Sequence, residues 1–88
     1  MRMIYTNTAS ALVHTGHITI SKLVVTSGSD AATVDFYDNT SAAGTKVASL
    51  KVAAASTDEI DFSDLVCVNG LYANIVAGTT PAYFIYSQ

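Results

Sequence analysis

The segment TVDFYDNTSAAGTKVASLKVA, residues 33–53, holds two alternating stretches separated by a polar loop. Successive side chains of a β-strand point to opposite faces, so this pattern predicts two strands that each bury one face. The residues predicted to face the core are Val34, Phe36, Ala48, Leu50 and Val52. The residues predicted to face outward are Thr33, Asp35, Tyr37, Val47, Ser49 and Lys51.

The loop between these two strands has the composition of a turn. Asp38 and Asn39 begin it, and side chains of this type commonly bond to the backbone of their own turn. Gly44 lies near its end and permits the backbone conformations that a chain reversal needs. The segment therefore predicts a β-hairpin, with Asp38 and Asn39 capping the loop.

The rest of the chain is rich in Thr, Val, Ile, Ser and Tyr, and its helix signals are weak. Further strands are predicted at residues 3–6, 11–14, 17–26, 59–62, 71–77 and 82–86, with a short extended run at 65–68. Seven to eight short strands predict one all-β domain over residues 1–88, a small antiparallel β-sandwich of jelly-roll-like or Ig-like type. Residues 1–7 have little local support, and we expect an N-terminal arm or an exchanged strand there.

The third of these strands contains a change of parity. Ile18 and Ile20 point to one face, whereas Leu23 and Val25 have the opposite parity. A β-bulge or bend near Ser21 would let both pairs face the core.

Two turns and one central strand are predicted in the second half of the chain. Turn residues stand at Ser63-Asp64 and at Asn69-Gly70. Residues 71–77 are mostly apolar on both parities, which predicts a central strand covered on two faces.

Composition excludes several classes of function. The 88 residues are 50% hydrophobic and 12% charged, with a net charge of −3. The four basic residues are scattered, so no basic patch for nucleic acid is predicted. No apolar run approaches the ~20 residues of a membrane helix, and the N-terminus does not have the apolar core of a signal peptide.

The clusters of ionisable residues do not match known catalytic or metal sites. The residues concerned are His14, His17, Cys67 and the acids Asp58, Glu59, Asp61 and Asp64. The two histidines are expected on opposite strand faces, and the acids do not have the spacing of a calcium loop. The single cysteine cannot form an intramolecular disulfide, and we expect it to be buried and inert. We therefore predict no metal, no cofactor and no enzymatic activity.

Tyrosine is the dominant aromatic residue, with five copies and no tryptophan. Exposed tyrosine on a surface of low charge is typical of protein interfaces, so we expect self-association. The residues predicted for this interface are Met3, Tyr5, Tyr37, Asp38, Asn39, Tyr83 and Tyr86.

The stretch YDNTSAAGT, residues 37–45, followed by an alternating strand and by NGLY at 69–72, resembles small β-sandwich structural proteins of tailed bacteriophages. Those chains typically have YDNTSASGT, an acidic or aromatic segment such as Asp61-Phe62, and a late NGLY or TGLY before a glycine turn such as 77–80. The similarity runs from about Ala11 to Tyr86, and residues 37–45 are its most specific part. Relatives often have glycine or small residues where this chain has HITISK, residues 17–22.

The resemblance implies a non-catalytic virion protein, most often a capsid cement or decoration subunit, or else a component of the neck or tail. It implies a homo-oligomer, with a trimer favoured over a dimer, bound to major capsid protein or neighbouring virion proteins. The location implied is the outer capsid surface, after assembly in the bacterial cytoplasm. No nucleic acid, membrane or cofactor is expected. The alternatives are a component associated with the tail, neck or fibre, and a small carbohydrate- or receptor-binding module that uses Tyr37, Asp38 and Asn39.

Overall fold

The computed structural model describes residues 2–79 and 81–87 and contains eight β-strands in that part of the chain. The strands are β1 (Arg2–Asn7), β2 (Ala11–Thr15), β3 (Ile18–Thr26), β4 (Ala32–Tyr37), β5 (Lys46–Val52), β6 (Thr57–Cys67), β7 (Gly70–Ala77) and β8 (Ala82–Ser87). The prediction of an all-β domain with seven to eight strands is confirmed.

The strands form two four-stranded antiparallel sheets. The first sheet has the order β1-β8-β3-β6, and the second sheet has the order β2-β7-β4-β5. The pairs β1–β8, β2–β7, β3–β6 and β4–β5 are nested, as in one long ribbon folded over on itself. This nested pairing over two sheets is the topology of a jelly roll, the first of the two sandwich types that the sequence predicts.

The hairpin of β4 and β5 has the predicted core face. Val34 lies opposite Leu50 and Phe36 lies opposite Ala48, with Val34, Phe36 and Leu50 buried. The prediction for Val47 is wrong, because the register shifts beside Phe36 and Val47 packs against the core. Asp35 points to the outer face of the sheet, as predicted. Its carboxylate is nevertheless buried there.

The predicted bulge near Ser21 is confirmed. The register of β3 shifts between Ile20 and Lys22 against both neighbouring strands. The Ser21 hydroxyl lies 3.2 Å from the carbonyl of Tyr86 and donates to it, so this buried residue keeps a hydrogen bond within the sheet. Because of this bulge, the apolar residues on both sides of Ser21 reach the core.

Two predictions for the second half of the chain are wrong. Ser63-Asp64 is no turn, because β6 continues through it and the two residues lie opposite the β3 bulge. The strand β7 is central in its sheet but is not covered on both faces, since Val76 is 57% exposed. In both cases the local sequence pattern is unusual, but the pairing with distant strands decides the structure, and the local pattern does not contain that pairing.

The core lies between the inner faces of the two sheets. Its large members include Ile20, Leu23, Phe36, Leu71, Tyr83 and Ile85. The N-terminal strand β1 pairs with β8 of the same chain and forms one edge of the first sheet. The structure thus gives residues 2–7 a place within the chain's own sheet, where the sequence suggests an arm or exchanged strand.

Candidate interaction surfaces

The loop after β4 is hydrogen-bonded to the connection between β6 and β7. The Asp38 carboxylate accepts the backbone amides of Asn69, at 2.9 Å, and Val68, at 3.3 Å. Asn39 accepts the amide of Thr40 at 2.7 Å and donates its side-chain amide to the carbonyl of Ala43 at 2.9 Å. Asn39 therefore caps its own loop as predicted, whereas Asp38 caps the connection between β6 and β7.

The outer face of the second sheet carries a cross-strand row that we name the tyrosine row. Tyr72 lies opposite both Leu12 and Tyr37, and Tyr37 lies opposite Lys46. Its members are, from edge to edge, Leu12, Tyr72, Tyr37 and Lys46. Tyr37 and Tyr72 are half-buried, and Leu12 is 42% exposed, so the row presents apolar and aromatic surface. Directly opposed aromatic side chains are among the cross-strand pairs that stabilise a sheet.

A buried carboxylate lies beside the tyrosine row and holds its lysine. Asp35 accepts a hydrogen bond of 2.6 Å from the Ser49 hydroxyl and lies 3.0 Å from the Lys46 ammonium. The same ammonium lies 5.9 Å from the centre of the Tyr37 ring. Burial raises the pKa of Asp35, but the hydrogen bonds from Ser49 and Lys46 outweigh it, so the pKa lies below its ordinary value. Asp35 is thus ionised at neutral pH and fixes Lys46 over the sheet.

The outer face of the first sheet carries two further rows. The phenylalanine row is Thr6, Phe84, Val24 and Glu59, and the lysine row is Met3, Tyr86, Lys22 and Asp61. Met3 is placed by its backbone register only, and its side chain lies outside the described part of the structure. The Lys22 ammonium lies 3.3 Å from Glu59 and 3.4 Å from Asp61, and the hydrogen bond with Glu59 raises the Lys22 pKa. Phe84, Tyr86 and Val24 are each half-buried.

Tyr83 and Tyr5 belong to the packing between the sheets. Tyr83 is fully buried, and its hydroxyl donates to the carbonyl of Ala9 at 2.5 Å. Its ring stacks on Tyr5 with 6.0 Å between centroids and meets Phe36 edge-on at the same separation. Burial and the neighbouring Tyr5 raise the pKa of Tyr83. The prediction that Tyr83 is an interface residue is therefore wrong, because none of its side chain is exposed on the surface of this chain.

The predicted interface residues do not form one surface. Tyr37 lies on the outer face of the second sheet, Tyr86 on that of the first sheet, and Asp38 and Asn39 in an end loop. The surface residues that sequence reasoning missed are Leu12, Tyr72, Phe84 and Lys46. The parity of Tyr72 is opposite to that of the buried pair Leu71 and Ala73, so the alternation alone places Tyr72 on the outer face. The prediction that both faces of the strand are covered hides this signal.

Two further ionisable residues, His14 and Cys67, are bonded or buried within the fold. The His14 ring nitrogen lies 3.1 Å from the carbonyl of His17, across the turn at Gly16. Cys67 is buried as predicted, and burial together with the nearby Asp38 carboxylate raises its pKa to about 11. Among the described residues, no group of three or more His, Cys, Asp or Glu could hold a metal ion. The described part also contains no helix of the length and hydrophobicity that would cross a membrane.

Comparisons with protein families, with curated proteins and with solved structures return no match for this chain.

Proposed function

We propose that this protein is a non-catalytic structural subunit of a tailed-phage virion, most plainly a capsid cement or decoration subunit that binds major capsid protein. The observation that carries the proposal is the tyrosine row, which presents Leu12, Tyr72 and Tyr37 side by side on an open sheet face. Aromatic side chains on a rigid surface give contact area at little entropic cost on docking. The resemblance of residues 37–45 to phage structural proteins supplies the class of partner.

The fold supports this role without defining it. Jelly-roll sandwiches occur in viral capsid domains and in lectins, and a fold alone does not fix a function. A cement subunit needs a stable shape and a docking surface, and many symmetry-related copies on a shell then give avidity. A sandwich whose loops are bonded to one another, as Asp38 bonds to the β6–β7 connection, meets the first need.

The proposal is tested on the virion of the phage that encodes the chain. Mass spectrometry of purified particles should detect the protein, and cryo-microscopy should locate it on the outer shell. Density at the neck or tail would support the virion role and correct the position. Absence from purified particles would overturn the proposal.

A binding assay then tests the surface. Purified protein is added to particles whose gene for it has been deleted, and the bound fraction is measured. The double variant Tyr37→Ala, Tyr72→Ala should lose at least about tenfold in affinity, equivalent to about 1.4 kcal/mol. The control Thr40→Ala lies in the exposed end loop, outside the row, and should bind as the wild type does.

A carbohydrate-binding role is the second candidate, and the same row favours it. Two tyrosines opposite each other, with Lys46 and the half-buried Asn74 beside them, combine stacking surface with polar groups, as sugar sites do. A glycan array distinguishes the candidates. Binding that is lost in Tyr72→Ala would favour the sugar-binding role, and an array without hits would exclude it for the glycans tested.

A further inference from the structure

Asn69 is the only asparagine of the chain that is followed by glycine. Asparagine is a thermolabile residue, because its side chain loses ammonia when the backbone nitrogen of the next residue attacks the amide carbon. A glycine at that next position favours the attack, since it has no Cβ to shield its nitrogen and its backbone is permissive. The other asparagines, Asn7, Asn39 and Asn74, precede the β-branched residues Thr or Ile. The sequence therefore singles out Asn69 for this chemistry.

The structure leaves the Asn69 side chain accessible. It is exposed, in the two-residue connection between β6 and β7. Within residues 2–79 and 81–87, no hydrogen bond fixes this side chain. The Asn39 side chain, in contrast, is hydrogen-bonded within its loop through both its oxygen and its nitrogen. Asn74 is half-buried and accepts a hydrogen bond from the Ser10 hydroxyl at 3.4 Å.

The fold also favours the attacking group, which is the backbone nitrogen of Gly70. Gly16 donates its backbone N–H to the carbonyl oxygen of Asn69 at 3.1 Å. This oxygen belongs to the same peptide unit as the Gly70 nitrogen, so it takes up negative charge when that nitrogen loses its proton. A hydrogen bond to the charged form of a group favours that form. The Asp38 carboxylate disfavours the charge, but it faces the preceding peptide unit, whose N–H it accepts at 2.9 Å.

We infer that Asn69 is a modification site, at which the folded chain converts the asparagine spontaneously to a carboxylate. The Gly70 nitrogen forms a bond to Cγ of Asn69, and the bond from Cγ to the side-chain nitrogen breaks. The leaving nitrogen takes up the proton of the Gly70 amide and departs as ammonia, which leaves a cyclic succinimide. Water then opens this ring at one of its two carbonyl carbons and gives aspartate or isoaspartate. The reaction is redox-neutral and consumes only water.

The conversion weakens the attachment of the β6–β7 connection. The new carboxylate lies on the residue whose own amide Asp38 accepts, and salt does not fully screen like charges within the ~8 Å Debye length. Isoaspartate also lengthens the main chain by one carbon atom. Gly70 has little room for this shift, because a Cβ there would lie 2.5 Å from the carbonyl oxygen of His14 and 3.1 Å from that of Asn39. The inference concerns the chain's own chemistry and does not depend on the proposed function.

The test follows the wild-type protein during storage at pH 8. Peptide mapping by mass spectrometry should show that Asn69 exchanges ammonia for water, while Asn39 and Asn74 stay unchanged. Conversion should be slower at pH 6, since less of the Gly70 nitrogen is deprotonated. An Asn69 that stays intact in the native protein would overturn the inference, and its conversion in urea would then show that the fold protects it. Earlier conversion of Asn39 or Asn74 would overturn it as well.

Two variants examine the consequence for the fold. Asn69→Ser removes the reacting amide and should keep the urea midpoint of the wild type, because the Asn69 side chain is exposed and its φ is not positive. Asn69→Asp reproduces one product and should unfold at a lower urea concentration than the wild type and Asn69→Ser. Stored wild-type protein should shift toward the lower midpoint as it converts. A midpoint that does not change with conversion would overturn the weakening of the connection.

Discussion

Asp38 accepts the backbone amide of Asn69 at 2.9 Å and so ties the loop after β4 to the connection between β6 and β7. The second carboxylate oxygen accepts the amide of Val68 at 3.3 Å. These contacts join Asp38, which directly follows β4, to residues about 30 positions further along, in the connection that leads from the first sheet into β7. Asp38, the first loop residue of the distinctive stretch 37–45, thus has a structural role.

Replacing Asp38 by Ala should therefore destabilise the fold. Two amides lose a charged acceptor, and hydrogen bonds to charged groups contribute about 1.5–3 kcal/mol each. Because the site is half-buried, water compensates in part, and we expect a loss of about 2 kcal/mol in the free energy of unfolding. Urea denaturation measures it. Asp61→Ala, which removes an exposed partner of Lys22, is the control and should cost less than about 1 kcal/mol. Equal effects would contradict the role of Asp38.

Gly70 should be the glycine least tolerant of substitution in the same region. Its φ is +146°, and an added Cβ would lie 2.5 Å from the carbonyl oxygen of His14 and 3.1 Å from that of Asn39. Both contacts are backbone atoms, so Gly70→Ala forces the strands apart, and we expect a loss above about 2 kcal/mol. Gly16→Ala is the matched control. It also has positive φ, at +87°, but meets no atom within 4 Å, so only the backbone cost of about 1 kcal/mol applies. Thermal unfolding compares the two.

The fold should lose stability in acid through Asp35 and Asp30. Hydrogen bonds from Thr79 lower the pKa of Asp30, and those from Ser49 and Lys46 outweigh burial at Asp35, so its pKa is also lowered. A carboxyl whose folded pKa is depressed stabilises the fold fully above its unfolded pKa of about 3.9. That contribution is lost as the pH falls through the folded pKa. The free energy of unfolding should therefore fall steeply below about pH 4.

The variants Asp35→Asn and Asp30→Asn separate these contributions. Each should be less stable than the wild type at pH 7 and should show a shallower fall in stability below about pH 4, since one titrating group is gone. Chemical denaturation at a series of pH values measures this. If the free energy of unfolding falls as steeply below about pH 4 in both variants as in the wild type, other groups cause the acid sensitivity.

Local pattern predicts the faces of strands in this chain but not their partners. Alternation places Val34, Phe36 and Leu50 in the core, and the parity change around Ser21 predicts the bulge. Such features depend on neighbours in sequence, so sequence can reveal them. Tyr83 and Tyr86 have opposite parity, yet their sequence does not say which one faces the core. That choice depends on the pairing of β8 with β1 and β3, which lie more than fifty residues away.

The candidate surfaces show the same limit. Tyr37 is predicted correctly to lie on an outer face, but its neighbour Tyr72 is 35 positions further along the chain. The sequence predicts that Asp38 bonds within its own loop, because such side chains usually do. Its actual partners are brought near by the pairing of β4 with β7, in which Tyr37 lies opposite Tyr72. Contacts between distant segments therefore define both the tyrosine row and the Asp38 bonds, and no local motif encodes them.

Truncating Tyr5 should show that β1 contributes to the stability of the chain itself. The Tyr5 ring stacks on Tyr83 and packs against the core. Tyr5→Ala removes this half-buried ring, and we expect a loss of about 2–3 kcal/mol, below the usual cost of a fully buried aromatic residue. Thr6→Ala, at an exposed position on the same strand, should cost less than about 0.5 kcal/mol. If both variants unfold like the wild type, β1 is held by something other than this chain.

The Cys67 thiol should be protected from alkylation while the protein is folded. Burial raises its pKa to about 11, and none of the side chain is exposed to solvent. Only the thiolate reacts, and at pH 8 roughly one molecule in a thousand would carry it. Iodoacetamide at pH 8 should therefore leave the native protein unmodified over minutes, as followed by mass spectrometry. In 6 M guanidinium the same reagent should label Cys67 completely, since the unfolded thiol has a pKa of about 8.5. Rapid labelling of the native chain would show that β6 opens at Cys67, against the burial seen here.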